Sequence, residues 1–171
     1  MTLMQEQIRH EFTASQQYLA MAVWFDSEDL PQLARHFYAQ AVEERNHALM
    51  MVQYLLDRDV RVSVPGVDEV QNAFRSVREP IEMALSQERT VTAQIEALFR
   101  AAREESDALG EQFMLWFLKE QVEEVAAMQT LLAVAERAGD NLFHLEDYLA
   151  REAVGDGGKD DSAPATAGGA L

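Results

Sequence analysis

The 171-residue sequence contains no cysteine. Disulfide frameworks, thiolate zinc sites and thiol nucleophiles are thereby excluded, the composition suits a reducing cytosol, and any metal ligand must be oxygen or nitrogen. Basic residues are scarce as well: two Lys and twelve Arg stand against 30 Asp and Glu, giving a net charge of -16 and a pI near 4.5. Nucleic acid and anionic membranes would need a cluster of Lys and Arg, so cations are the more natural partners. No run approaches the ~18–20 apolar residues that span a bilayer, and the amino-terminal MTLMQEQIRHEF lacks the cationic segment and apolar core of an export signal. These absences predict a soluble, cytoplasmic protein that binds neither nucleic acid nor membrane.

What is present reads as helix. With 48% hydrophobic residues, the chain fits one domain with a sizeable core. Apolar residues at Met4, Ile8, Phe12, Leu19 and Ala22 recur at three and four and predict a helix over 3–27, with Glu11, Ser15 and Tyr18 on the same face. The segment Ser27-Glu-Asp-Leu-Pro31 offers a cap and a first-turn proline for a second helix reaching about Asp59. Its core stripe is Phe37, Ala41, Glu44, Ala48, Met51 and Leu55, while Tyr38, Val42, Leu49, Val52 and Leu56 form a second stripe that either thickens the monomer core or faces a neighbouring subunit. From Val60 to Val77 the chain turns β-branched and carries Pro65-Gly66, which reads as an extended connection. At about 3.3 Å per residue it spans the length of a helix and allows the second and third helices to lie parallel.

A third helix over 78–104 turns Ile81, Leu85, Glu88, Val91, Ile95, Leu98 and Ala102 inward. A break at Ser106-Asp107 starts a fourth, which presents Phe113, Phe117, Glu120, Gln121, Glu124, Met128, Leu131 and Ala135 and continues to about Ala138, where Gly139-Asp140-Asn141 ends it. A short fifth helix runs from Leu142 to about Glu152. The expectation is an all-α bundle over 1–152, followed by a Gly-, Ala- and Asp-rich segment, 153–171, that is disordered or serves as a docking tail.

The most informative feature is where the acidic residues stand. Glu11, Glu44 with His47, Glu88 and Glu124 interrupt four apolar stripes. An ionised carboxylate taken out of water costs several kcal/mol, against a whole-domain stability of roughly 5–15 kcal/mol, so several in one core require balancing cations. At ~1.5 Å per residue all four positions fall roughly 15–25 Å from one bundle end, whichever way the third helix runs. Glu44 and His47, three apart on one helix, are neighbours, so the carboxylate can bridge two metals while the imidazole holds one. A lone E-x-x-H is common by chance; inward carboxylates on three other helices give this one weight. Such a set is hard and suits iron or manganese better than copper. Two Fe(II) ions can pass two electrons to one O2 or peroxide without releasing one-electron radicals, and the Fe(III) formed hydrolyses to an oxide that must be contained.

At HEFTASQQY, VEERNHA, SQERT and FMLWFLKEQVEEV the sequence resembles the bacterial non-haem ferritins, over Met1 to about Glu152. The resemblance implies a ferritin-like four-helix bundle with a long crossover and a short fifth helix, a homo-oligomeric shell of twenty-four subunits, and ferroxidase activity in which Fe(II) is oxidised by O2 or H2O2 and stored as ferric mineral. By motif, Glu11, Glu44 and His47 resemble the ligands of a first iron, and Glu44, Glu88 and Glu124 those of a second, with Gln121 beside them and Glu44 bridging. Glu43, Glu120 and Glu123 match acidic positions that hold a third iron in many prokaryotic ferritins; a solvated acidic patch is the other reading. Tyr18 and Trp116 match aromatic residues that donate electrons near the di-iron centre, or are core aromatics. Met4, Met51 and Met128 read as gap-fillers, and His10, His36 and His144, which match no motif, as surface or interface residues.

Haem-containing bacterioferritins carry a second E-x-x-H on the fourth helix and a haem-ligating Met directly after the second-helix glutamate. Here Ala127 follows Glu124 by three, Glu124 follows Gln121 by three, and Arg45 occupies the Met position, so no haem is expected. A rubrerythrin-like peroxidase would usually add a cysteine-ligated iron, which this composition forbids. Two rivals to iron storage stay open from the residues alone: a di-iron oxidase acting on an organic substrate, and a passive metal-buffering bundle.

Overall fold

A computed structural model describes residues 2–152, 154, 160 and 162–171. Five helices follow one another: α1 (Thr2–Ser27), α2 (Pro31–Asp57), α3 (Arg78–Glu104), α4 (Ala108–Ala138) and α5 (Leu142–Arg151). No strand occurs among the described residues, and none of the helices is long and apolar enough to cross a membrane. The all-α four-helix bundle with a short fifth helix is the architecture expected from the periodicity.

Three helices end alike. Asp29, Asp59 and Ser106 take the left-handed conformation at φ 58°, 56° and 58°, and the next backbone N–H reaches back five residues, Leu30 to Phe25, Val60 to Leu55 and Asp107 to Ala102, at 3.0, 2.9 and 2.8 Å. These bonds satisfy carbonyls that a helix end otherwise leaves orphaned. At the start of α4 the Asp107 side chain accepts from Gly110 N at 3.1 Å, as the break in the sequence implied. The start of α2 differs from expectation. Pro31 is in the first turn, but Leu30 is the capping position and gives no side-chain bond. Ser27 Oγ turns back to the Trp24 carbonyl, and Glu146 of α5 instead accepts from Gln32 N and Leu33 N at 2.8 and 3.0 Å. A carboxylate distant in sequence thus supplies the cap.

The connection between α2 and α3 fixes the topology. Ser63 N pairs with Gln5 Oε1, Asp68 with Arg9 and Thr13, and Gln71 reciprocally with Gln17, at 2.8 and 2.9 Å. Phe74 then meets the Trp24 ring edge-on. Crossover and α1 therefore advance together. Since α2 runs back along α1, the crossover returns the chain to the end where α2 began, and α3 lies parallel to α2.

Two apolar clusters fill the bundle. One contains Tyr18, Phe25, Leu33, Phe37, Ile81 and Leu131; the other contains Ile8, Met51, Leu55, Ile95, Met114 and Phe117. On each of α1, α2, α3 and α4 the inward acidic residues fall between the two. Met4, Met51 and Met128 are core residues, as expected. Leu19, assigned to the core stripe of α1, is 39% exposed, because it points away from the side that carries Tyr18 and Ala22. The second stripe of α2 is mixed: Tyr38, Val42 and Leu56 are exposed while Val52 is buried.

Of the segment after Arg151, residues 153, 155–159 and 161 lie outside the described residues. Asp160 accepts from Trp116 Nε1 at 3.0 Å and pairs with Lys119. Ala163 and Ala167 pack on the second cluster, Ala167 N donates to the Leu49 carbonyl at 3.2 Å, and Leu171 N to Asn46 Oδ1 at 3.2 Å. These residues lie along α2 and α4.

Candidate metal centre

The polar layer between the clusters is built from one or two inward residues per helix. Glu11, Glu44, His47, Glu88, Gln121 and Glu124 are all at most 5% exposed. Glu11, Glu44 and His47 each bring a ligand atom within 4.8 Å of the others. His47 Nδ1 is 3.3 Å from Glu44 Oε2, one turn away on α2, and the ring edge-packs on Phe117 and Trp116 at 5.6 and 5.8 Å. Tyr18 donates its phenolic hydrogen to Glu88. Thr92 Oγ1 lies 2.9 Å from Gln121 Oε1 and 2.8 Å from the Glu88 carbonyl, so the Gln121 amide nitrogen is turned toward the Glu88 carboxylate, which it stabilises.

Protein donors do not satisfy this much negative charge. Glu11 Oε2, Glu44 Oε1 and Glu88 Oε2 are enclosed and have no hydrogen-bond partner among the described residues. Burial raises the Glu88 carboxyl to about 7, even though Tyr18 draws it down. Burial, then the Glu88 and Glu11 charges, lifts Glu44 well above the carboxylate range. Glu124 is lifted likewise by burial and by Glu43, and Glu11 mainly by burial. Enclosed, converging carboxylates with free oxygens either keep protons or hold cations.

A second group, Glu43, His47 and Glu120, also brings three ligand atoms within 4.8 Å of one another and shares His47 with the first. Glu120 is only 4% exposed, whereas Glu123 and Glu43 are half-buried. These side chains line a cavity of about 640 Å³ that also meets His36, Gln40 and Trp116. Glu120 is thus not part of a solvated patch. Trp116 aims its N–H at Asp160 and packs in a T-shape with His47.

Several contributors escaped the sequence reading. Gln7, one turn before Glu11, donates to Glu11 Oε1 at 2.8 Å. Thr92, one turn after Glu88, orients Gln121. Gln40 donates to Glu43 Oε2 at 2.8 Å. Each lies three or four positions from one of the inward carboxylates, a spacing too common in a helix to mark it out. Asp160 gave none. Of the unmatched histidines, His144 is exposed as expected, but His36 has its Nε2 enclosed, and burial lowers its pKa to about 4.

Comparison with known proteins agrees with this geometry. The sequence pattern of the Ferritin-like domain family matches residues 1–138. Ferritin BfrB of Mycolicibacterium smegmatis is 66% identical over 169 residues, 99% of this chain and 93% of its own length. The Bacterioferritin BfrB of Mycobacterium tuberculosis is 64% identical over 166 residues, 97% and 88% of the two chains. A bacterial non-heme ferritin of Staphylococcus aureus is 36% identical over 150 residues, 88% and 89%. Among solved structures, an open pore ferritin from the archaeon Archaeoglobus fulgidus superposes with a TM-score of 0.85 at 28% identity, covering 89% of this chain and 94% of that one. Identity of 66% along nearly the whole chain, on a fold shared with solved ferritins, makes this chain a member of the ferritin family.

Proposed function

We propose that the protein is an iron-storage ferroxidase. The observation that carries this reading is the enclosed meeting of Glu11, Glu44 and His47, with Glu88 and Glu124 beside them and a free oxygen on each of Glu11, Glu44 and Glu88. One Fe(II) binds Glu11, Glu44 and His47; a second binds Glu44, Glu88 and Glu124, with Gln121 adjacent and Glu44 bridging. Each ion gives up one electron, so that the pair reduces O2 to H2O2 or H2O2 to water, with two protons taken up per O2 and two per H2O2. The carboxylates neutralise the gain of positive charge on the metals, and the flanking apolar clusters keep bulk water from the site.

Glu43, Glu120 and, at the cavity edge, Glu123 receive a third iron, which is consistent with His47 belonging to both groups. Tyr18, hydrogen-bonded to Glu88, is placed to supply an electron; Trp116, edge-on to His47, is the second aromatic in reach. Exposed Leu19, Val23, Tyr38 and Val42 on α1 and α2 supply apolar surface for association into a shell of twenty-four copies, in which ferric mineral is held in the cytoplasm. We read the chain as haem-free, since Arg45 follows Glu44 and lies 6.0 Å over the Phe12 ring.

Stopped-flow oxidation tests the reading. Glu44→Ala removes the bridge, and initial Fe(II) oxidation should fall by about 100-fold or more while the assembly persists. An unchanged initial rate in that variant would sink the assignment.

A further inference from the structure

Beyond the two groups already described, the cavity beside His47 continues along α2. Positions 36, 40, 43 and 47 are spaced by four, three and four, so His36, Gln40, Glu43 and His47 form one stripe, and all four line the cavity. The stripe carries polar side chains where the same helix elsewhere buries Phe37, Ala41 and Ala48.

The orientation of Gln40 is fixed by its neighbours. Its amide nitrogen donates to Glu43 Oε2 at 2.8 Å and also stabilises the Glu124 carboxylate. Reversing the amide would set its oxygen against both carboxylates, so the oxygen must face the other way. Gln40 is 8% exposed, and its Oε1 has no hydrogen-bond partner among the described residues; His36 Nε2, one turn earlier, is enclosed in the same condition. Buried polar atoms of this kind are ordinarily satisfied, so two of them on one stripe of one cavity call for a shared occupant.

We propose that His36 and Gln40 form a further divalent-metal site, a station onto which iron moves after the Glu43–His47–Glu120 group. The protein donors are one imidazole nitrogen and one amide oxygen, with water completing the coordination, which suits Fe(II), Co(II) or Zn(II). With no charged ligand it holds a cation more weakly than the carboxylate-rich groups behind it, as transit requires. Successive groups are linked: His47 belongs to both the first and the second, and Gln40, whose amide nitrogen donates to Glu43, ties the second to the third. The metal identity rests on the ferroxidase reading; the site itself rests on the two enclosed, unpartnered atoms.

The test is anomalous scattering from crystals of the full-length wild-type protein soaked anaerobically in Co(II), measured at the cobalt edge. The expected result is a peak within bonding distance of His36 Nε2 and Gln40 Oε1, in addition to peaks at Glu11, Glu44 and His47. Calorimetric titration of His36→Gln with Co(II) should show one ion fewer per subunit. Peaks at Glu44 and His47 with only a water beside His36 overturn the further site and leave the ferroxidase reading standing. No peak at Glu11, Glu44 and His47 overturns that reading, whatever lies at His36. Because the wild-type map locates the ion directly, the result does not depend on a variant folding.

Discussion

Tyr18 on α1 donates its phenolic hydrogen to Glu88 on α3, a contact across the bundle between residues 70 positions apart in sequence. Both side chains are fully enclosed. Tyr18 itself stays protonated, because burial and then the Glu88 and Glu44 charges push its pKa well above the ordinary tyrosine value. Tyr18→Phe deletes one donor and leaves the Glu88 carboxylate with Gln121 as its remaining side-chain donor, since Oε2 already lacks a partner among the described residues. The metal-free variant should be less stable by about 1–3 kcal/mol, seen as a lower thermal midpoint in calorimetry. A midpoint equal to wild type would mean that the bond contributes nothing.

Stability of the metal-free protein should fall as pH rises. Glu11, Glu44, Glu88 and Glu124 all have folded-state pKa values above the ordinary carboxylate value. Their protons therefore favour the fold fully below about 4.5 and are lost as pH passes through the folded values, about 7 for Glu88. Thermal midpoints at pH 6 and pH 8 measure this: the metal-free protein should melt lower at pH 8, Glu88→Gln should show a smaller drop, and a saturating divalent ion should stabilise more at pH 8 than at pH 6. A midpoint that rises between those pH values contradicts the account.

Glu146 caps α2 from α5 by accepting from Gln32 N and Leu33 N. Glu146→Ala should cost about 1–2 kcal/mol, as the loss of an N-cap does elsewhere. Amide hydrogen exchange at residues 32 and 33 should accelerate while the α4 core is unaffected. Unchanged protection at those two amides would show that solvent or another group caps the helix equally well.

Asp160 is held well below the ordinary aspartate range, first by Ser162 and then by Trp116. Asp160→Ala removes the acceptor of the Trp116 indole and the partner of Lys119. Exchange at the Ala167 amide, which donates to the Leu49 carbonyl, should rise several-fold, because this end of the chain loses its one charged anchor among the described residues. Equal exchange in the variant would assign the contact to the alanine packing alone.

The four helices that build the candidate site were readable because a glutamate inside a 3.6-residue apolar period is costly and therefore conspicuous. Glu11, Glu44, Glu88 and Glu124 each break such a period, and the structure gathers them between the two apolar clusters. The crossover was legible from its length, and its pairing with α1 through Gln5, Arg9, Thr13 and Gln17 bears out the parallel arrangement of α2 and α3. Gln7, Gln40 and Thr92 were not legible, since an uncharged polar residue one turn from a ligand carries no distinguishing mark until its partner is known. The Glu146 cap and the Asp160 contact with Trp116 join residues 113 and 44 positions apart, beyond the reach of any local pattern. Leu19 shows the converse: a three-and-four spacing is wide enough to admit a residue at the edge of the stripe that turns to solvent.

The central claim is that this chain oxidises Fe(II) at the Glu44-bridged centre and keeps the product inside a shell. The most direct measurement adds Fe(II) aerobically to metal-free protein while absorbance near the ultraviolet edge and light scattering are followed on the same sample. The account predicts a particle near twenty-four times 19.3 kDa that oxidises iron far beyond the capacity of its di-iron centres and keeps it soluble. A small oligomer whose oxidation stops after about two irons per chain would contradict it and point instead to a di-iron oxidase.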